Sequence, residues 1–512
     1  MVARGAIAGL ALAAAIAPAA SRAQGAEVPA APAPPRAFAL STGLGFEASV
    51  LDVSARANGN NGTEVLVRAL PSLAMEHRGG RLRGSLVYGG SLQSRRGIDD
   101  REETDYSNSL AASYLLEAIE GVGFVDARAS VTQQALSAVG TPVGAGGSES
   151  NRTEVVSASL SPYLRGRIGR FAEAELRATG AGTKGGDTLA SDSKMAALSF
   201  SLRSPRSAAL LGWGLSGTRQ KLKYEAATSA TTSDRLAAEV VLQPDIDWRL
   251  WITGGRERND VVGAVERDYE NYGLGIQWTP SPRTTVSAQG EERYFGRAHR
   301  VAVEHRLKRS TLRYADSRDV NSGADMLSAG QPVTLYALLY AEFEAQIPDP
   351  VQRDQFVLAM IQALGRSRDE VVAGGLFSTV GVSVVRRREL LWTWNGPRLT
   401  LAASGFALDS ERADSGGFNP AGLNDNTAQT GYAASAGWRL TPLTSINASG
   451  SRAMSQDTVT FARSDLKSAS VGLTSRLGVR TTGALSLRYS VLNGTTDSYR
   501  ETALTGSISL RF

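Results

Sequence analysis

The strongest constraint on this chain is an alternation of period two that recurs along it and still holds at its last residues. In "TALTGSISLRF", Leu504, Gly506, Ile508, Leu510 and Phe512 fall on one face of an extended strand, and Thr505, Ser507, Ser509 and Arg511 on the other. Chain ends of soluble domains usually fray into water. An apolar face maintained up to a bulky aromatic therefore needs a neighbour. The same period places Phe38, Leu40, Thr42, Leu44 and Phe46 together, with Ser41, Gly43, Gly45 and Glu47 opposite. It returns at Val65, Val67, Ala69, Leu73 and Met75, at Leu110, Ala112, Tyr114 and Leu116, and at Tyr272, Leu274, Ile276 and Trp278. Period two marks strands that show one face to an apolar medium and the other to a polar one.

The connections between these strands alternate in length. Short ones read "HRGGR" (77–81), "IEGV" (119–122), "TPSPR" (279–283), "NGPR" (395–398) and "LTPLT" (440–444). Long ones, such as "DVSARANGNNGTE" and "SAVGTPVGAGGSESNRT", are rich in Gly, Asn, Asp and Ser. A sandwich has no reason to sort its connections this way. A membrane barrel has tight turns on one rim and long loops on the other. The expected fold is all-β: a transmembrane antiparallel up-and-down barrel over residues 38–512, with about 22 strands (roughly 20–24). An even count returns both ends of the barrel to one rim. A length of 512 residues would ordinarily suggest several domains, but a barrel wall grows by adding strands rather than by thickening a core.

Composition narrows the chemistry. There is no Cys and only 3 His, which removes disulfides, thiolate metal sites and Cys nucleophiles and argues against a multi-His metal centre. The formal charge of +5 is small for this length and gives no support to nucleic acid as a partner. Residues 1–23 read as an export signal, with Arg4, an apolar run from Ala6 to Ala17 and a small-x-small site at Ser21-Arg22-Ala23. Residues 24–37, containing "AEVPAAPAPPR", read as an extended Ala/Pro linker. No later stretch has the roughly 18 uncharged apolar residues of a membrane helix.

One region breaks the strand period. Within residues 324–371, Leu335, Leu338, Leu339, Phe343 and Ile347 have helical spacing, as do Phe356, Val357, Met360, Ile361 and Leu364. Asp349 and Pro350 between them suit an N-cap and a first helical residue. The expectation is a helical insertion that enters the lumen as a plug or lies on the rim. Trp278, Trp392, Trp394 and Trp438, each near a short turn, fit an aromatic girdle at a membrane interface.

Candidates for chemistry are few. His77 lies at a turn, and His299 and His305 are too far apart on one strand to touch. No Ser occupies a G-x-S-x-G elbow, and the acidic stretch "GIDDREETD" lacks the ligand spacing of a calcium loop. No catalytic, cofactor-binding or metal-binding residue is assigned. The polar face is more informative. Gln289, Glu291 and Arg293, then Arg300, Glu304 and Arg306, then Arg313 share one face, while Val286, Ala288, Val301, Val303, Leu307, Leu312 and Tyr314 share the other. The seven polar residues are the candidate lumen lining.

Two resemblances add to this reading. The final strand, with Ile508, Leu510 and a terminal Phe512, resembles the recognition strand read by the barrel-assembly machinery of Gram-negative bacteria. "FVDARASVTQQAL" (124–136), "SLSPYLRGRIG" (159–169), "WTPSPRTTVSAQGEERYFG" (278–296), "HRLKRSTLRYADSRDV" (305–320), "IPDPVQRDQFVLAMIQALG" (347–365) and "NGPRLTLAASGF" (395–406), in this order, resemble outer-membrane barrel proteins associated with PEP-CTERM/exosortase systems. Tyr294-Phe295-Gly296 departs mildly from the Phe-Phe-Gly of many members. The resemblance implies a role in exopolysaccharide production and surface-protein sorting at the outer membrane, with membrane lipids, the assembly machinery and export components as expected partners. It transfers no catalytic residues. With no catalytic constellation in the sequence, the expectation is a non-enzyme. A diffusion porin is the alternative, and a barrel hydrolase or acyltransferase using His299 or His305 the less supported one.

Overall fold

The structure is a computed structural model that describes residues 38–55, 61–97, 102–137, 139–140, 151–185, 192–205, 210–225, 230–262, 265–322, 382–413, 426–495 and 497–512. The expected export signal (1–23), the linker (24–37) and the expected helical insertion (324–371) lie outside the described residues.

The described residues form 22 strands: β1 (Phe38–Ser54), β2 (Gly62–His77), β3 (Leu82–Arg96), β4 (Glu102–Ile119), β5 (Gly123–Ala135), β6 (Arg152–Ile168), β7 (Ala172–Gly185), β8 (Ser193–Arg203), β9 (Leu211–Tyr224), β10 (Thr231–Asp245), β11 (Trp248–Asn259), β12 (Arg267–Ser281), β13 (Thr284–Arg293), β14 (Gly296–Arg306), β15 (Ser310–Ser322), β16 (Val382–Asn395), β17 (Leu399–Arg412), β18 (Asn426–Arg439), β19 (Thr444–Asp457), β20 (Arg463–Arg476), β21 (Thr481–Gly494) and β22 (Ser498–Arg511). They make a single sheet in which consecutive strands pair antiparallel and β22 pairs back onto β1. The sheet is thus a closed barrel with no free edge, the arrangement that a spanning sheet needs where no water is present to satisfy backbone groups.

Closure runs from Gly43 opposite Arg511 to Ser54 opposite Arg500. The Phe512 N–H donates to the Thr42 carbonyl at 2.8 Å, so hydrogen bonding continues past the last strand residue. Leu504, Ile508 and Leu510 lie on the outer face with Val50, Phe46 and Leu44 opposite them. Leu504, Ile508, Val50 and Phe46 are all about half exposed. Large exposed apolar residues recur around the outside, among them Leu160, Leu198, Leu236, Leu274, Val471 and Leu487. An apolar exterior on a closed wall belongs in lipid.

The termini of the barrel share one rim, here the near rim, with the tight turns. Gly121, at φ +66°, supplies the left-handed residue that the β4–β5 turn requires. The opposite, far rim carries most of the longer connections. It carries short connections too: three residues separate β21 from β22, and β13 and β14 are joined through Tyr294 and Phe295 alone, with Gly296 at φ +92°. That turn interrupts the alternation of short and long connections seen in the sequence.

Aromatic placement follows the turns. Trp248 and Trp278 stack across β11 and β12 with ring centroids 5.3 Å apart, and Trp438 is half exposed next to the β18–β19 turn. Trp251 departs from this girdle. It lies on the inner face, directly opposite Gly275, where an added Cβ would come within 2.2 Å of the indole.

The inner face is not uniformly polar, as the alternation alone suggested. Leu51, Val53, Leu66, Leu466, Leu492, Tyr499 and Ala503 form one buried cluster at inner positions of β1, β2, β20, β21 and β22. A second cluster joins Met195, Leu222 and Tyr224 of β8 and β9 to Val261 and Val382, from parts of the sheet that are not neighbours. Strand alternation assigns a face; it does not say which inner residues pack on one another, and here apolar ones do.

Candidate functional site on the inner wall

The register decides which side chains share the interior. Gln289 lies opposite Arg300, Thr285 opposite Glu304 and Glu291 opposite Ala298. Across the next strand, Glu304 lies opposite Arg313 and Arg306 opposite Thr311. Directly opposed residues share a face, so Gln289, Glu291, Arg293, Arg300, Glu304, Arg306 and Arg313 all point into the barrel. The intervening residues Val286, Val303 and Tyr314 point outward in one row, as do His305 and Leu312 in the next.

These seven residues fall into separate groups. Toward the far rim, Arg293 is the hub. Its Nη2 and Nε donate to the two carboxylate oxygens of Glu257 at 2.8 and 3.3 Å, and its Nη1 donates to Asp319 at 2.9 Å. The Glu257 side chain is 1% exposed, so the guanidinium fork is what neutralises a carboxylate removed from water. Glu291 pairs with Arg235 from β10. Five charged residues from β10, β11, β13 and β15 thus form a Glu257–Arg293–Asp319 triad beside a Glu291–Arg235 pair. Glycine makes the crossing feasible: a Cβ on Gly255 would approach the Asn271 amide oxygen to 2.6 Å.

Toward the near rim, Arg306 binds Glu304 at 2.5 Å, and Arg313 faces the same carboxylate across the strands. Between the two groups, Arg300 stands opposite Gln289 and has no ion-pair partner among the described residues. The expected lining residues did not include Glu257, Arg235 or Asp319. Their alternation was available, yet the pairing of β11 with β13 residues across β12 depends on register, which no local pattern announces.

A second inner-wall feature also went unread. Hydroxyl pairs cross neighbouring strands at Ser130–Ser157 (2.5 Å), Ser161–Thr179 (3.0 Å), Ser449–Ser470 (2.7 Å), Ser451–Ser468 (2.8 Å) and Ser49–Thr505 (2.9 Å). With Arg128–Asp126 (2.7 Å), Arg68–Glu47 (3.0 Å) and Arg488–Glu501 (2.6 Å), they give the wall a dense, mixed-sign surface of donors and acceptors. Such a surface can hold water and hydroxyl-bearing molecules without strong preference for either sign of charge.

The histidines stand elsewhere. His299 and His305 point outward from β14, His299 Nε2 lying 3.1 Å from Asp316 Oδ1 and His305 Nδ1 2.9 Å from Thr284 Oγ1. His77, at the end of β2, packs edge-on against Phe38. No group of metal-ligating side chains occurs among the described residues.

No protein-family profile and no curated protein sequence matches the chain. Solved structures do. The FrpB iron transporter from Neisseria meningitidis is similar at a TM-score of 0.49 and 11% identity, over 92% of this chain and 82% of that one. The siderophore receptor PirA from Pseudomonas aeruginosa gives 0.44 and 12%, over 92% and 80%. OccK5 from Pseudomonas aeruginosa gives 0.33 and 12%, over 92% and 98%. The described residues of this chain form a closed antiparallel barrel of 22 strands with an apolar exterior.

Proposed function

We propose that this protein sits in the outer membrane of a Gram-negative bacterium, exported with cleavage of residues 1–23, and serves as a channel or scaffold for exopolysaccharide or surface-protein export. The near rim then faces the periplasm and the far rim the exterior. The observation that carries the reading is the inner wall: charges neutralised in pairs, interleaved with rows of serine and threonine hydroxyls. A wall of this kind suits a hydroxyl-rich, weakly charged polymer, because it offers many exchangeable hydrogen bonds and no strong electrostatic trap. The motif resemblance to PEP-CTERM/exosortase-associated barrels points the same way.

Planar bilayers test the channel. The purified full chain should conduct, with weak preference between cations and anions, and neutral oligosaccharide added on one side should block the current reversibly. A bilayer that stays sealed counts against a channel. The same neutral, mixed lining also fits a diffusion porin. A deletion strain separates the two: loss of secreted polysaccharide or of surface-protein display supports export, whereas altered small-solute uptake with normal polysaccharide supports the porin.

A further inference from the structure

Above the apolar belt, the outer wall carries charge all round, much of it in pairs, although Arg318, directly opposite Arg386, donates to the Arg297 carbonyl rather than to an acid. Arg452 is held in a two-pronged pair with Asp465 at 2.9 Å, Arg388 binds Asp409 at 2.9 Å, and Arg386 and His299 share Asp316. The wall at β7, β8 and β9 is different. Lys184, Lys194, Lys221 and Lys223 project outward there, all exposed, and none makes an ion pair among the described residues. Lys194 and Lys223 are directly opposed across β8 and β9, and Lys221 is opposite Ala196, one outward row nearer the belt. Lys184 extends the group onto β7, where Gly182 is opposite Lys194. Like charges placed directly opposite one another destabilise a sheet unless something anionic lies between them.

The acids nearby are committed or peripheral. Asp234 lies 3.6 Å from Arg219, the Asp192 carboxylate accepts the Gly185 N–H at 2.9 Å, and Glu225 follows the end of β9. Height matters as well. The four lysines stand nine to twelve residues from the near-rim ends of their strands. A strand of roughly 9–11 residues crosses the hydrocarbon layer, so the ammonium groups emerge where the far leaflet's headgroups begin. Below them, past the Arg219–Asp234 pair that stands opposite Leu198, the same face is greasy, with Leu160, Leu176, Leu198 and Phe200 exposed.

We propose that Lys184, Lys194, Lys221 and Lys223 form a binding site for a phosphorylated lipid of the far leaflet, its phosphates held between the ammonium groups and its acyl chains lying on Leu160, Leu176, Leu198 and Phe200. The partner is a lipid rather than free phosphate because the cations border directly on the acyl-binding surface. This site rests on the outer-membrane reading, in which the far leaflet displays lipid A.

Native mass spectrometry of the full chain in detergent, with added lipid A, tests it. Wild type should retain lipid A, and the variant Lys184→Gln/Lys194→Gln/Lys221→Gln/Lys223→Gln should lose at least about tenfold in affinity. Arg452→Gln, in the neutralised sector, should bind as wild type does. Equal retention of dephosphorylated lipid A by wild type would overturn the site, and that comparison needs no variant to fold. Displacement by low concentrations of inorganic pyrophosphate would also overturn it, by showing a free-anion site. Cell fractionation reads the membrane assignment separately, so failure of one is distinguishable from failure of the other.

Discussion

Arg293 and Glu257 make the sharpest residue-scale case, because burial of the carboxylate is nearly complete and its compensation comes from one side chain. Arg293→Ala should destabilise the barrel by about 3–5 kcal/mol, since it strands a charge away from water. Pairing it with Glu257→Gln should restore much of that loss. Denaturant unfolding in detergent, followed by tryptophan fluorescence, measures both. Gly275 offers a steric counterpart. Its missing side chain is the space that the Trp251 indole occupies, so Gly275→Val should cost about 1–3 kcal/mol through overpacking, while Gly290→Ala, where an added Cβ meets nothing within 4 Å, should be nearly silent. Arg293 was legible as an inward residue but its partner Glu257 was not, and nothing in the residue types announced the Gly275 site. Trp251 alternates with the outward Leu250 and Ile252 and so faces inward, opposite Gly275.

For single strands, β22 is the informative one. Its outer face of Leu504, Ile508 and Leu510 follows directly from the alternation in "TALTGSISLRF", and so does the need for a partner. Deleting Phe512 removes the bond to the Thr42 carbonyl and an aromatic at the near rim. The expected result is a smaller fraction of heat-modifiable, folded protein on gels and more degradation by periplasmic proteases; unchanged mobility would argue against a role in assembly. Strand existence and facing were readable here because lipid on one side and water on the other impose the same two-residue rule on every strand. The tight β13–β14 turn at Tyr294-Phe295 was harder to see, since a bulky aromatic pair is not a usual turn signal and only Gly296 marks it.

Across the whole molecule, strand number and closure came through in the sequence because they are set by length, spacing and the parity of the ends. The state of the bore did not. Whether inner residues face water or one another depends on how distant parts of the wall approach, as at the cluster joining β8 and β9 to Val261 and Val382. A conductance measurement probes that scale directly. Arg300→Glu, which reverses a charge midway along the wall that has no ion-pair partner among the described residues, should shift a weakly selective current toward cations, whereas reversing Arg306, bound to Glu304, should shift it less. The seam between β1 and β22 carries a consequence for biogenesis. Ser49 and Thr505 meet although 456 positions separate them. The cylinder therefore cannot shut until a ribosome has delivered nearly the whole polypeptide. Until that moment every nascent strand presents an unpaired edge, so the exposure of sticky intermediates grows with the number of strands already made.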